Sequence, residues 1–291
     1  MNKVRSFLVS TLSVISLSQA HAGVTVIDFD TDSNGNAITN GQIVDDEYAS
    51  AGVSITSVNV NNTTSKTSDD IEGIQVAFDT NLSGTEDPDL EYNRNRNDYN
   101  GTGQYSYTAL NIDGIQFADT PDNVLIMQNA DFINDSANGN TCDAFSCTTP
   151  NDENGTNPAG YFEFTFDTLV DIISLDTFDI EDNGEFVIQF FANDNLVATR
   201  VETDKAVGDT VSIFDSADYT VQAGDDTLLT MGDGQFVRQL LNITGIDRLR
   251  VQIPGSGAID NLAFRTAEVP APATLSLLAF AMLLIARRVR K

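Results

Sequence analysis

Short runs of apolar residues alternate with polar ones along most of the chain, and Asn, Asp, Gly and Thr separate the runs. In Tyr161-Phe162-Glu163-Phe164-Thr165-Phe166 the three Phe take every second position, with Glu163 and Thr165 between them. Successive side chains of a strand point to opposite faces, so this spacing predicts a strand whose Phe side meets a core. Phe186, Ile188 and Phe190 repeat the pattern. Comparable runs lie at Val24 to Phe29, Gly52 to Val58, Ile71 to Phe78, Tyr105 to Leu110, Ile112 to Phe117 and Val124 to Gln128. The second half adds Val170 to Ile180, Leu196 to Val201, Thr210 to Phe214, Phe236 to Ile243, Leu249 to Ile253 and Ile259 to Phe264.

About a dozen strands are therefore expected, with no sustained helical stripe and at most a short helix near Asp45 to Ser50. Many short strands joined by turn residues predict an all-β fold, a jelly-roll-like β-sandwich. Asn193-Asp194-Asn195 reads as a hairpin turn, and so does Asp182-Asn183-Gly184-Glu185, where Asn-Gly supplies positive φ angles. Asn81 to Gly103 and Asn129 to Ala159 read as long polar loops, of a length that is unusual in a compact domain unless functional or disordered.

The two ends break this pattern. Lys3 and Arg5 precede an apolar stretch from Phe7 to Leu17, and Ala20-His21-Ala22 forms a small-x-small site. That order is a secretory signal peptide, placing residues 1–22 outside the folded protein. At the other end, Val269-Pro270-Ala271-Pro272 leads into an apolar run, and Arg287-Arg288-Val289-Arg290-Lys291 closes the chain. The run from Ala273 to Ala286 makes a helix of about 21 Å, a short transmembrane helix for a bilayer core of about 30 Å. Its basic end would stay on the cytoplasmic side, with the large domain outside.

This tail, 268–291, resembles the PEP-CTERM sorting signal, also labelled an ice-binding-protein C-terminal domain, a label that says nothing about ice. The resemblance covers about the last 23 residues: a Val-Pro-Glu-Pro-like motif, one hydrophobic segment and an arginine cluster. Ala271 stands where that family usually has Glu, and the nearest acid is Glu268. The resemblance implies a substrate of an exosortase-like processing enzyme at the inner membrane, in bacteria that make exopolysaccharide or biofilm. It implies an exported protein, first a membrane-held precursor and then at the cell surface or extracellular. The alternative is a plain C-terminal membrane anchor.

Between the ends, residues 23–267 read as one acidic β-sandwich domain. All 43 acidic residues lie from Gly23 onward, and the two termini take six of the 15 basic ones. Nine basic residues against 43 acidic ones leave residues 23–268 at −34. Nucleic acid is excluded as a partner, because it needs a basic face. The single His is His21, inside the signal. Ser-His-Asp and Cys-His catalysis and His-ligated zinc are therefore closed to the mature chain. Cys142 and Cys147 are expected to form a disulfide that pins a loop, as a close pair does outside the cytoplasm.

Asp28-Phe29-Asp30-Thr31-Asp32-Ser33-Asn34-Gly35 places acids at alternate positions before Asn-Gly, like the start of a calcium loop. Calcium takes six to eight hard oxygens, which a turn at Gly lets converge. The position twelve on from Asp30 is Gly41, so this is no EF-hand. Asp179-Ile180-Glu181-Asp182-Asn183-Gly184 is a second acidic turn. Ile27-Asp28-Phe29-Asp30 and Ile259-Asp260-Asn261-Leu262 resemble the framing of extracellular jelly-roll modules. That likeness implies neighbouring first and last strands sharing a structural Ca2+, with Asp28, Asp30 and Asp260 as ligands beside Asp32 and Asn34. Tyr92 and Tyr99, with Arg94 and Arg96, form an aromatic-polar patch suited to stacking on sugar rings.

The expected function is that of an exported, non-catalytic surface or extracellular-matrix protein, calcium-stabilised. The alternatives are a calcium-dependent polysaccharide-binding module and a carboxylate-dependent glycan hydrolase or lyase. The last needs two convergent carboxylates.

Overall fold

The computed structural model describes residues 23–59, 71–91, 111–112, 115–116, 122–128, 142–152, 158–180, 185–202, 205–214, 217–228 and 236–266. The signal segment, the C-terminal tail with Val269, Pro270, Ala271 and Pro272, and Tyr92, Arg94, Arg96 and Tyr99 lie outside these residues. The described chain is all-β, with one 3-10 turn at Ala49–Ala51 inside the segment expected to form a short helix. Among the described residues no helix is long and apolar enough to cross a membrane.

The strands are β1 Val24–Ile27, β2 Val53–Asn59, β3 Ile71–Glu72, β4 Gln75–Asp79, β5 Asn111–Ile112, β6 Ile115–Gln116 and β7 Asn123–Met127. After these come β8 Gly160–Phe178, β9 Val187–Ala192, β10 Asn195–Glu202, β11 Thr210–Val211, β12 Tyr219–Thr220, β13 Asp226–Leu228, β14 Phe236–Ile253 and β15 Ala258–Thr266. Eleven of them join one sheet; β5–β6 and β11–β12 form separate two-stranded pairs.

The sheet is organised by β8 and β14, which run antiparallel along most of their length. Both exceed the usual strand length, and the sequence pattern shows why each reads as two runs. The β8 segment Asp167 to Leu169 is exposed, and register breaks interrupt β14 between Leu240 and Arg248. Such breaks bend a strand, and here β8 changes neighbour across the bend. Its first part pairs with β2, while its last part, from Val170, pairs with β15. One arm of the sheet thus carries β3, β2, the start of β8, the end of β14, β9, β10 and β13. The other carries the start of β14, the end of β8, β15, β7 and β4, with β1 on β15.

One buried cluster takes side chains from both arms: Phe162, Phe164, Ile188, Phe190 and Leu249 from the first, and Leu125, Leu175, Ile259, Leu262 and Phe264 from the second. Phe166 and Phe264 meet edge to face at 5.1 Å. The Phe side of β8 is buried as the alternation predicts, and Glu163 lies on the opposite face with Arg248 and Arg250. On β9 both faces are covered. Ile188 and Phe190 enter the main core, while Val187 packs with Val201 of β10 and with Val211, Ile213 and Val221 from the excursion after it.

The hairpin expected at Asn193-Asp194 is present: Ala192 pairs with Asn195, and both turn residues have positive φ, 49° and 63°. Of the second expected hairpin turn, Asp182, Asn183 and Gly184 lie outside the described residues. The flanking strands β8 and β9 do not pair, because β14 lies between them. A strand almost 50 residues further on takes the position that a local turn would have given to its neighbour.

Candidate functional site

The framing residues of the first and last strands come together. β1 pairs antiparallel with β15, and Ile27 faces Leu262 in the register. Just after β1, Asp28 Oδ1 accepts from the backbone N–H groups of Asp30 at 3.1 Å and Thr31 at 3.3 Å. Asp30 Oδ1 accepts from the Asn123 backbone N–H at 2.8 Å, which ties this loop to the start of β7. Burial pushes the Asp30 carboxyl up to about 6, with repulsion from Asp28, Asp122 and Asp79 adding to it.

Asp260 is buried on β15 and accepts from its neighbour Asn261, backbone N–H at 2.6 Å and Nδ2 at 2.8 Å. Burial raises its pKa well above the ordinary carboxylate range, and Asp176, Asp30 and Asp28 add repulsion. The Tyr48 hydroxyl, which accepts from the Phe29 N–H at 3.0 Å, lies in the field of the same three acids, Asp28, Asp260 and Asp30. Asp28, Asp30 and Asp260 therefore share one electrostatic neighbourhood.

Asp32 and Asn34 belong to the turn that follows. Asp32 closes its own turn, accepting from Asn34 N–H and Asn36 N–H, both at 2.8 Å, and from Asn36 Nδ2 at 2.7 Å. The Asn36 side chain is the main reason that its pKa is lowered. A carboxylate whose oxygens bind backbone N–H groups in a turn is doing structural work.

Across the sheet Asp260 stands opposite Asp176 on β8, and Asp176 stands opposite Arg238 on β14. Directly opposite residues share a face, so an arginine and two aspartates form a row across three strands.

The expected disulfide is present: Cys142 and Cys147 are bonded. Between them Asp143 Oδ1 accepts from Phe145 N–H and Ser146 N–H, both at 2.8 Å, which folds the loop into a tight turn. The loop docks edgewise on residues 41–43. Cys147 N–H donates to Gly41 O at 2.7 Å and Ile43 N–H to Phe145 O at 2.8 Å. The same segment bonds on its other side to β4, where Ala77 N–H donates to Gln42 O at 2.9 Å.

This docking builds an open hollow of about 440 Å³, lined by Thr39, Gln42, Ile43, Asp45, Asp46, Glu47 and the loop residues Ala144, Phe145 and Ser146. Asp45, Asp46 and Glu47 bring carboxylate oxygens within 4.8 Å of one another, as no other group of three described residues with metal-ligating side chains does. Glu47 is held by Gln42 Nε2 at 3.0 Å and the Asp45 N–H at 2.8 Å. Phe145, at the rim, is 79% exposed, although the disulfide and the Asp143 turn fix its backbone. Sequence reasoning missed this place. The only local signals are the run Asp45-Asp46-Glu47, read as part of a helix, and a Phe inside the cysteine loop.

No protein-family model matches the chain, and no curated protein is significantly similar to it.

Proposed function

We propose that this chain is an exported, non-catalytic surface or matrix protein whose body is a jelly-roll-like sandwich, sorted by its PEP-CTERM-like tail through an exosortase-like enzyme. The single observation that carries this reading is the Cys142–Cys147 disulfide, docked on residues 41–43 as part of the fold. A structural disulfide suits an oxidising compartment, which agrees with the basic-apolar-small order of residues 1–22. The two-arm sheet around one core supports the sandwich, and the pairing of β1 with β15 supports the jelly-roll-like framing. A structural Ca2+ near Asp28, Asp30 and Asp260 belongs to the same reading, supported by the mutual repulsion of these acids.

The test is the intact mass of the protein recovered from a producing bacterium. The expected product begins at Gly23, ends near residue 267 and is lighter by two hydrogens for the disulfide. Full-length chain in the cytosol with both thiols free would end the proposal.

One observation favours a second reading, a polysaccharide-binding module: the exposed Phe145 ring beside an acidic hollow. A rigidly mounted aromatic face is a platform for the apolar face of a sugar, and the carboxylates offer acceptors for its hydroxyls. Retention of the protein on immobilised polysaccharides, with and without calcium, separates the two readings.

A further inference from the structure

Two carboxylates are buried away from every place described so far. Asp87 and Asp152 are 0% and 2% exposed. They come from segments 65 residues apart and are joined by one hydrogen bond, from the Asp152 N–H to Asp87 Oδ2 at 3.0 Å. Asp152 Oδ2 accepts from Ser256 Oγ at 3.2 Å and from the Gly257 N–H. One oxygen of each carboxyl is thus satisfied. The other, Oδ1 in both, is buried and has no hydrogen-bond partner.

The Asp152 N–H bond holds the two carboxyl groups close, and Asp89, beyond Pro88, adds a third negative charge felt by both. Burial pushes both carboxyls above their ordinary range, and for Asp87 the repulsion of Asp152 comes next. Buried charges persist in proteins when they are paired or coordinate a metal. A shared proton would quench one charge and leave the remaining carboxylate facing Asp89. A divalent cation would neutralise the pair, occupy both orphaned oxygens and attract Asp89.

We propose that Asp87 and Asp152 ligate a calcium-class divalent cation that fastens the 81–91 segment to the turn before β15. The donors are all oxygen, which suits a hard cation and disfavours zinc or copper. Asp87 and Asp152, joined by the backbone bond, are the direct ligands of this proposal, and Asp89 is the neighbouring charge. The surrounding frame is firm. Leu90 packs with Phe78, Phe178 and Ala258, and Asn151 Nδ2 donates to Glu86 O at 3.1 Å. Gly257, at φ 141°, presents its N–H to Asp152 where a Cβ would strike Ile180 Cδ1 at 2.5 Å. The proposal is independent of export and of a site near Asp28, Asp30 and Asp260.

The test uses the full chain, stripped with EDTA and titrated with CaCl2 by calorimetry and by thermal melting. Asp87→Asn and Asp152→Asn keep the shape and remove one charge each; Asp28→Asn/Asp30→Asn and Asp45→Asn/Asp46→Asn are the controls. The expected result is a calcium-dependent rise in Tm in the parent chain. In Asp87→Asn and Asp152→Asn one equivalent of calcium should be lost or bound about tenfold or more weakly, since affinity follows the charge count of the ligands. Both controls should keep it. In EDTA, Asp87→Asn should melt at or above the parent, because an amide can donate to the Asp152 oxygen that a carboxylate repels. Either of two results overturns the proposal. One is no calcium response in the parent. The other is the parent's stoichiometry and affinity retained in both Asp87→Asn and Asp152→Asn, which would place the ion elsewhere.

Discussion

Asp176 and Arg238 stand directly opposite each other on β8 and β14 and close a two-pronged ion pair, Nε to Oδ1 at 2.6 Å and Nη2 to Oδ2 at 2.5 Å. Both are buried. The pair holds the bent arm of the two longest strands in register and sets a counter-charge beside Asp260. Replacing Asp176 by Asn leaves the guanidinium buried with no full counter-charge. Losing one partner of such a pair costs about 3–5 kcal/mol. Urea unfolding of Asp176→Asn should show a loss of that order, and a loss under about 1 kcal/mol would mean that the arginine finds water.

Gly41 is held at φ 79°, and a Cβ there would lie 2.1 Å from the Cys147 carbonyl oxygen. Gly41→Ala should push the disulfide loop off residues 41–43 and cost about 1–3 kcal/mol. Amide exchange at Ile43 and Cys147, whose N–H groups seal this contact, should accelerate before exchange in the core does. Unchanged protection there would contradict the docking.

Removing the disulfide itself is a separate matter. The loop is short, with the cysteines five residues apart in sequence, so the chain-entropy contribution is modest, about 2 kcal/mol. Cys142→Ala/Cys147→Ala should lower the unfolding free energy by about that amount, read in urea as a lower midpoint at an unchanged slope.

Asp30 should give the protein an unusual pH dependence in metal-free buffer. Its folded-state pKa, about 6, lies above the ordinary 3.8 because the group is partly buried among acids. The folded protein therefore holds this proton more tightly than the unfolded chain, and the group's contribution is most favourable in acid. It declines as pH rises from about 4 to about 6 and is level above that. Asp30→Asn should remove that part of the slope in a series of melts, and carboxyl NMR should place the Asp30 midpoint near 6. A calcium-induced fall in that midpoint would support an ion near Asp28, Asp30 and Asp260. An unmoved midpoint would count against it.

Phe145 is exposed, so Phe145→Ala should change stability by less than about 0.5 kcal/mol. If the hollow binds sugar, the same change should abolish retention on the polysaccharide that the parent binds. Retention without the ring would remove the second functional reading.

Where a signal is local, the sequence is sufficient. The period-two Phe pattern of residues 162–166 and 186–190 places those side chains in the core, since a pleated strand has only two faces. Asn193-Asp194 makes its turn because Asn and Asp tolerate positive φ. The Cys142–Cys147 bond follows from closeness along the chain.

What the sequence left open depends on partners distant in the chain. Asp182 to Glu185 has the residues of a hairpin turn, yet β14 lies between the strands on either side. The acids are the sharper case. With 43 of them, composition alone cannot separate Asp32, satisfied by its own turn, from Asp87 and Asp152, which meet across 65 residues with an unpaired oxygen each. Periodicity and turn chemistry are properties of a few neighbouring residues. Burial and electrostatic company arise only when distant segments close on one another, and only the tertiary structure decides those.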